Sequence, residues 1–231
     1  KRVINKATHI ITFSDANKKV LIKDYHKSGN NITVHPIPST LPIELSTLQY
    51  QEIKRGQKIK LILVGNTFYG KGVDIAIKTT QILNERNIPT ELRVVGQNGV
   101  DIENIKFLGF FSKKDPNQLE QYVNNYKWAH FLIFPSRFDA AGIVPSEAAG
   151  FGVPTITNAA GGLATTVKHK VSGIVLEKHS SAELYAEVIL YYLNHPQEYL
   201  LLRQSTYERY QSELTWDSLG HELVKIMKGL V

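Results

Sequence analysis

The chain has 231 residues, 42% of them apolar, enough for one sizeable core or for one domain with part of another. It contains no cysteine, which excludes disulfides and thiolate metal sites, and no apolar run of bilayer-spanning length. The formal charge of +6 is spread along the chain and suits nucleic acid, anionic lipid or a phosphorylated small ligand; with no recognition motif beside it, nucleic acid is not expected. Lys1 to Lys6 lead into no cleavable apolar segment and the first residue is not methionine, so a piece of a longer, cytoplasmic protein is expected.

Residues 7–13, ATHIITF, read as a buried strand. Ser14 or Asp15 then caps a helix to about Lys27, with Ala16, Val20 and Ile22 as inward positions. Residues 32–35, ITVH, read as a short strand before Pro36 and Pro38. Residues 36–57 show no period until Ile53, which suits a linker with a short helical piece. KIKLILV at 58–64 reads as a buried strand, GNTFYGKG from Gly65 to Gly72 as a loop, and Val73 to Arg86 as a helix. The loop is not a phosphate-loop motif, because Gly72 stands where that motif has a hydroxyl residue after Lys71. No Gly-x-Gly-x-x-Gly is present either, which argues against a nicotinamide-binding enzyme.

TELRVV at 90–95 is the next strand, with Gly96 to Gly99 as its outgoing loop, and IKFL at 105–108 is a short strand ending at Gly109. Asp115 and Pro116 open a helix to about Trp128, with Leu119, Tyr122, Val123 and Tyr126 as its core stripe. The strand Phe131 to Phe134 ends at Pro135, and a loop from Ser136 to Ala141 carries Arg137 and Asp139. A helix follows Gly142, with Pro145 in its first turn and Glu147 just beyond. The strand Val153 to Thr157 runs into the loop Asn158 to Gly162, and residues 173–176 form the last strand. Helices fill 181–194, 196–212 and 216–229; Ser180 caps the first, Pro196 starts the second, and Trp216 in the third reads as a packing residue. Strand–helix alternation from 58 to 176 predicts an α/β fold with a doubly wound parallel sheet and ligands at its C-terminal strand ends.

The stretch from Phe131 to Gly162 has the form of an anion site at such an edge. Amides just before Pro145 lie at a helix start, where N–H groups lack intrahelical partners and the helix dipole is positive. Gly142 has no Cβ and lets a ligand approach its backbone. Asp139 and Glu147 can face one pocket, and a carboxylate accepts from two neighbouring hydroxyls, as on a ribose or hexose. No pair among the eight histidines has helical ligand spacing, so no metal site is expected.

In order, Pro135, Ser136, Asp139, Gly142, Glu147, Ala148, Ala149, Gly152 and Pro154 resemble the signature of the retaining glycosyltransferases of family four, which have the GT-B fold. The two acids keep that family's spacing, with seven residues between them, although Asp139 stands where the first glutamate is usual. Gly65, Lys71 and Gly72 match the family's Gly-Arg-x-x-x-x-Lys-Gly loop, with Asn66 in place of arginine. Gly161 and Gly162 match a Gly-Gly pair, followed here by Ala164 and Thr165 rather than Pro-Glu.

The resemblance implies a Rossmann-like C-terminal domain of a GT-B enzyme that binds a nucleotide-diphosphate sugar. Residues 1–38 would end the acceptor-side domain, 39–57 would link, 58–212 would bind the donor, and 213–231 would cross back. Glu147 would hold ribose hydroxyls and Asp139 the transferred sugar. Lys71 and the amides near Gly142, Ile143 and Val144 would meet the diphosphate, with Gly65, Asn66, Gly72, Arg137, Gly161 and Gly162 around it. Gly96, Leu108 and Gly109 would line the base. No cofactor or metal is implied; the acceptor is left unspecified, and a peripheral contact with anionic membrane is compatible with the charge. Without the resemblance, Lys71 is a surface lysine and Gly96 and Gly109 are turn glycines. A non-catalytic nucleotide-sugar-binding module on the same fold is the alternative.

Overall fold

Ile59, Leu61 and Leu63 pack on one face of their strand and Ile62 and Val64 on the other, and all five are buried. A strand apolar on both sides needs a layer over each face of its sheet. The computed structural model, which describes residues 2–43, 52–54 and 56–229, supplies both layers. Six parallel strands lie in the order β5-β4-β3-β6-β7-β8: β3 is Ile59–Val64, β4 Thr90–Val95, β5 Ile105–Gly109, β6 Phe131–Phe134, β7 Thr155–Asn158 and β8 Gly173–Leu176. Helices α3 (Val73–Glu85), α7 (Ala182–Asn194) and α8 (Pro196–Glu213) contribute to the core on one face. Helices α4 (Pro116–Trp128) and α5 (Ile143–Ala149) contribute to the core on the other.

The chain enters this sheet in the middle. From β3 it winds outward through β4 and β5, then returns to place β6 on the other side of β3, with Leu61 opposite Phe131. Loops leaving β3 and β6 therefore diverge, and the crevice between them is where doubly wound sheets take ligands.

A second sheet, of two parallel strands, pairs β1 (Ile10–Thr12) with β2 (Ile32–Val34). Helix α1 (Arg2–Lys6) precedes it, and α2 (Asp15–Tyr25) connects its strands. Ser14 caps α2 by accepting from the Asn17 amide. The inward positions expected on α2 do not hold: it buries no residue, and Val20 and Ile22 are 47% and 42% exposed. Two strands are too narrow to cover a helix face.

Other departures have local causes. Pairing of β7 starts at Thr155 rather than Val153, because the Val153 amide closes the turn after α5 on the Ala148 carbonyl and Pro154 has no N–H. The residue capping α7 is Ser181, not Ser180, whose hydroxyl turns back to the Glu177 carbonyl. Trp216 opens α9 (Trp216–Lys228) but is 58% exposed rather than packed. Helices α1 and α6 (Leu163–Thr166) were not expected from the sequence. The helical piece expected within 36–57 falls partly outside the described residues, and 36–43 and 52–54 contain none. Among the described residues no helix is long and apolar enough to cross a membrane.

His130, at the entry to β6, is buried, and its Nδ1 accepts from the Lys60 amide 3.1 Å away. Burial first, then the nearby charges of Lys60 and Arg203, press its pKa from 6.5 down to about 4. The folded state thus rejects a proton that the unfolded chain takes up, so its stabilisation is full above about pH 6.5 and is lost as pH falls toward 4. Urea unfolding at pH 7.5 and pH 4 should differ by roughly 3 kcal/mol from this group. The same pair of measurements on His130→Leu should lose most of that difference.

Candidate functional site

The loop Gly65–Gly72 leaves β3, and the loop Pro135–Gly142 leaves β6. They are tied together where Gly70 accepts from the Arg137 amide at 2.9 Å. Across that junction Lys71 Nζ meets Asp139 Oδ2 at 2.7 Å, with both side chains mostly buried. The other carboxylate oxygen, Oδ1, accepts from the Gly142 amide at 2.7 Å and from the Ala141 amide at 3.2 Å. Asp139 is thus a charged clasp: it holds the lysine of one loop and caps the start of α5.

Gly142 is required by more than ligand approach. Its φ is +76°, and a Cβ there would lie 2.9 Å from Leu163 Cδ2. Gly161 faces the same loop, since a Cβ on it would come within 2.0 Å of the Asp139 carbonyl oxygen. Gly162 donates its amide to that oxygen at 2.8 Å. Lys71, Asp139, Gly142, Gly161 and Gly162 therefore form one cluster, with the Ile143 and Val144 amides beginning α5 beside it. The start of α2 closes its flank: the Asp15 amide and carboxylate both bond the Thr165 hydroxyl, at 3.0 and 2.9 Å. Thr165 thus has a structural task at a position where it departs from the family pattern.

Glu147 does not join that cluster. It is 0% exposed, and its oxygens have separate partners. Oε1 accepts from Thr40 Oγ1 at 2.6 Å and pairs with Lys113 Nζ. Oε2 accepts from the Tyr122 and Tyr126 hydroxyls at 2.8 and 3.1 Å. Burial pushes both phenol pKa values up, and the Glu147 charge pushes them further, so both hydroxyls remain donors. The two acids expected to face one pocket thus have disjoint partners. The tyrosines expected as plain core are buried, yet their hydroxyls hold the glutamate.

Arg137 also turns away from Lys71. It forms a two-pronged pair with Asp74 at 2.7 and 2.8 Å and stacks on the Tyr69 ring. This pairing lowers the Asp74 pKa and raises that of Arg137. At the far end of the β3 loop, Gly96 donates to the Gly109 carbonyl at 2.7 Å, and Gln97 donates to the Gly65 carbonyl at 3.0 Å. Leu108 is half-buried beside them, and Asn66 is exposed. Among the described residues no group of three or more His, Asp or Glu side chains is placed to hold a metal ion.

The family model for glycosyl transferases group 1 matches residues 47–209. The chain belongs to that family. An uncharacterized glycosyltransferase of Haemophilus influenzae is 27% identical over 229 residues, covering 96% of this chain and 60% of that protein. WaaG, a glycosyltransferase involved in lipopolysaccharide biosynthesis, superposes with a TM-score of 0.65 at 22% identity, over 95% of this chain and 62% of its own. Anabaena HepE, solved in complex with UDP-glucose, gives 0.71 at 16% identity, over 99% of this chain and 66% of its own. This chain therefore spans about 60% of the first two relatives, and its sheet is that of a GT-B glycosyltransferase.

Sequence reasoning missed Thr40 and Lys113, which carry no motif and meet Glu147 only through the fold. Glu147→Ala should cost about 3 kcal/mol in urea unfolding, the low end for a broken buried pair because Lys113 is 39% exposed and keeps some solvent. Lys71→Ala should cost clearly less, because Asp139 keeps its two backbone donors. Equal losses in the two variants would contradict the asymmetry of the two sites.

Proposed function

We propose that this chain binds a nucleotide-diphosphate sugar at the crevice between the β3 and β6 loops, as the donor half of a retaining, family-four glycosyltransferase. The observation that carries this reading is Lys71 at the strand-order reversal, beside the amides that begin α5. A cation and oriented amides together suit a diphosphate leaving group, whose developing charge they would stabilise without a metal. The family membership and the UDP-glucose complex of HepE support the same ligand class.

In this reading Lys71 exchanges its Asp139 partner for phosphate oxygens, and Asp139, so released, faces the hydroxyls of the transferred sugar. The Gly161–Gly162 turn approaches the phosphates, and the Gly96, Leu108 and Gly109 edge takes the base. Glu147 receives ribose hydroxyls only if Thr40 and Lys113 yield their place, so nucleotide binding would loosen the 36–43 segment. Residues 1–38 would close the acceptor-side domain, 39–57 would link it, 58–212 would hold the donor, and α9 would return to the first part, where Ser218 lies 3.3 Å from His35. A cytoplasmic enzyme in peripheral contact with anionic lipid fits the net charge. Asn66, exposed where the family has arginine, favours a second reading as a binding module without transfer.

Calorimetry with UDP, GDP and ADP tests the donor site. One nucleotide should bind, and Lys71→Ala should weaken it by about tenfold or more. The isolated chain should transfer little sugar. Absence of any nucleotide binding by the folded chain would defeat the donor reading, and vigorous transfer by the chain alone would defeat its assignment as a donor half.

A further inference from the structure

Glu147 has no acceptor position left to offer. A carboxylate presents about four of them. Thr40 Oγ1 and Lys113 Nζ fill those of Oε1, and the Tyr122 and Tyr126 hydroxyls fill those of Oε2. The residue is also 0% exposed. No ligand hydroxyl bonds either oxygen while all these donors stay in place.

The donors are of two kinds. The tyrosines belong to the buried face of α4, and their hydroxyls lie 3.1 Å from each other. Thr40 and Lys113 are exposed, and Thr40 Oγ1 also accepts from Lys113 Nζ at 3.0 Å. These two form a linked cover between Oε1 and solvent. Each can turn into water, whereas the tyrosine hydroxyls cannot leave without repacking α4. Lys113 follows the end of β5 at Gly109, so the cover lies at the C-terminal edge of the sheet. The loops that carry Lys71 and Asp139 leave from the same edge.

We propose that Thr40 and Lys113 are a built-in competitor at the donor site: they occupy Glu147 Oε1 in the free chain and leave it when the ribose hydroxyls of a nucleotide bind there. The inference rests on the donor reading above and adds a regulation to it. The affinity measured for a nucleotide is then the intrinsic affinity reduced by the fraction of chains whose cover is open. Weakening the cover tightens binding, the opposite of what loss of a ligand contact does.

Calorimetry on Thr40→Val tests this. The exchange keeps the shape of an exposed side chain, removes its donor and leaves Lys113 paired with Glu147. The probes are UDP, GDP and ADP, each beside its 2′,3′-dideoxy form, which lacks the hydroxyls that compete for Oε1. The nucleotide that binds should bind Thr40→Val about tenfold more tightly than the wild-type chain. Thr40→Ser, which keeps the hydroxyl, should match the wild type, and the dideoxy form should bind all three alike. Unchanged or weaker binding of the ribonucleotide by Thr40→Val would overturn the proposal, since Thr40 would then be purely structural or a ligand contact. So would an equal gain for the dideoxy form. If Lys71→Ala weakens binding while Thr40→Val leaves it unchanged, the donor reading stands and this inference alone falls. No nucleotide binding by any of the folded chains defeats both.

Discussion

A carboxylate with no exposed surface ties three separate stretches of this molecule to α5. Glu147 sits on α5, yet its partners come from α4, from the loop before α4 and from the segment after β2. Each partner is held because an ionised group cannot stay buried without a full set of donors. The same helix fixes that segment a second time, since Ser146 donates to the Ile37 carbonyl at 2.6 Å. Ser39 in turn donates its amide to Leu214 at the end of α8. The segment joining the small sheet to the large one is thus fastened to the helix whose first turn borders Lys71 and Asp139.

Asp139 shows the contrasting use of a carboxylate. It is partly open, and two of its three donors are backbone amides that remain in place whatever Lys71 does. One acid therefore governs rigidity and the other can change partners at low cost. That difference leaves Asp139 able to part from Lys71 while its backbone donors stay in place, and leaves Glu147 tied to the segment after β2.

The large sheet was legible in the sequence because a strand buried on both faces leaves a continuous apolar run, as in IKLILV of β3 and FLIF of β6. The start of α4 was legible too, since Asp115 and Pro116 act through bonds to the next few residues. The face of α2 was misread for the opposite reason. Its apolar spacing is genuine, but burial depends on a partner surface that spacing cannot reveal. At the site, the structure brings Lys71, Asp139 and the glycines of the motif together, because those positions follow neighbouring strand ends. The motif did not separate Asp139 from Glu147. The partners that do so lie 107 and 34 positions away, at residues of no distinctive type. Nor could the motif reveal that Arg137 pairs with Asp74 on α3, a partner outside its own loop.

The loop after β6 thereby serves both faces of the sheet at once. Asp139 turns to Lys71 and the start of α5, while Arg137, two residues earlier, turns to α3 and Tyr69. The Ser136 hydroxyl fixes the turn between them by donating to the Phe138 and Gly70 carbonyls at 2.9 and 3.2 Å. The Arg137 amide is also bound to Gly70, one residue before Lys71, so the two loops are tied together there. The direction of Arg137 and the position of Lys71 are thus linked through hydrogen bonds already made.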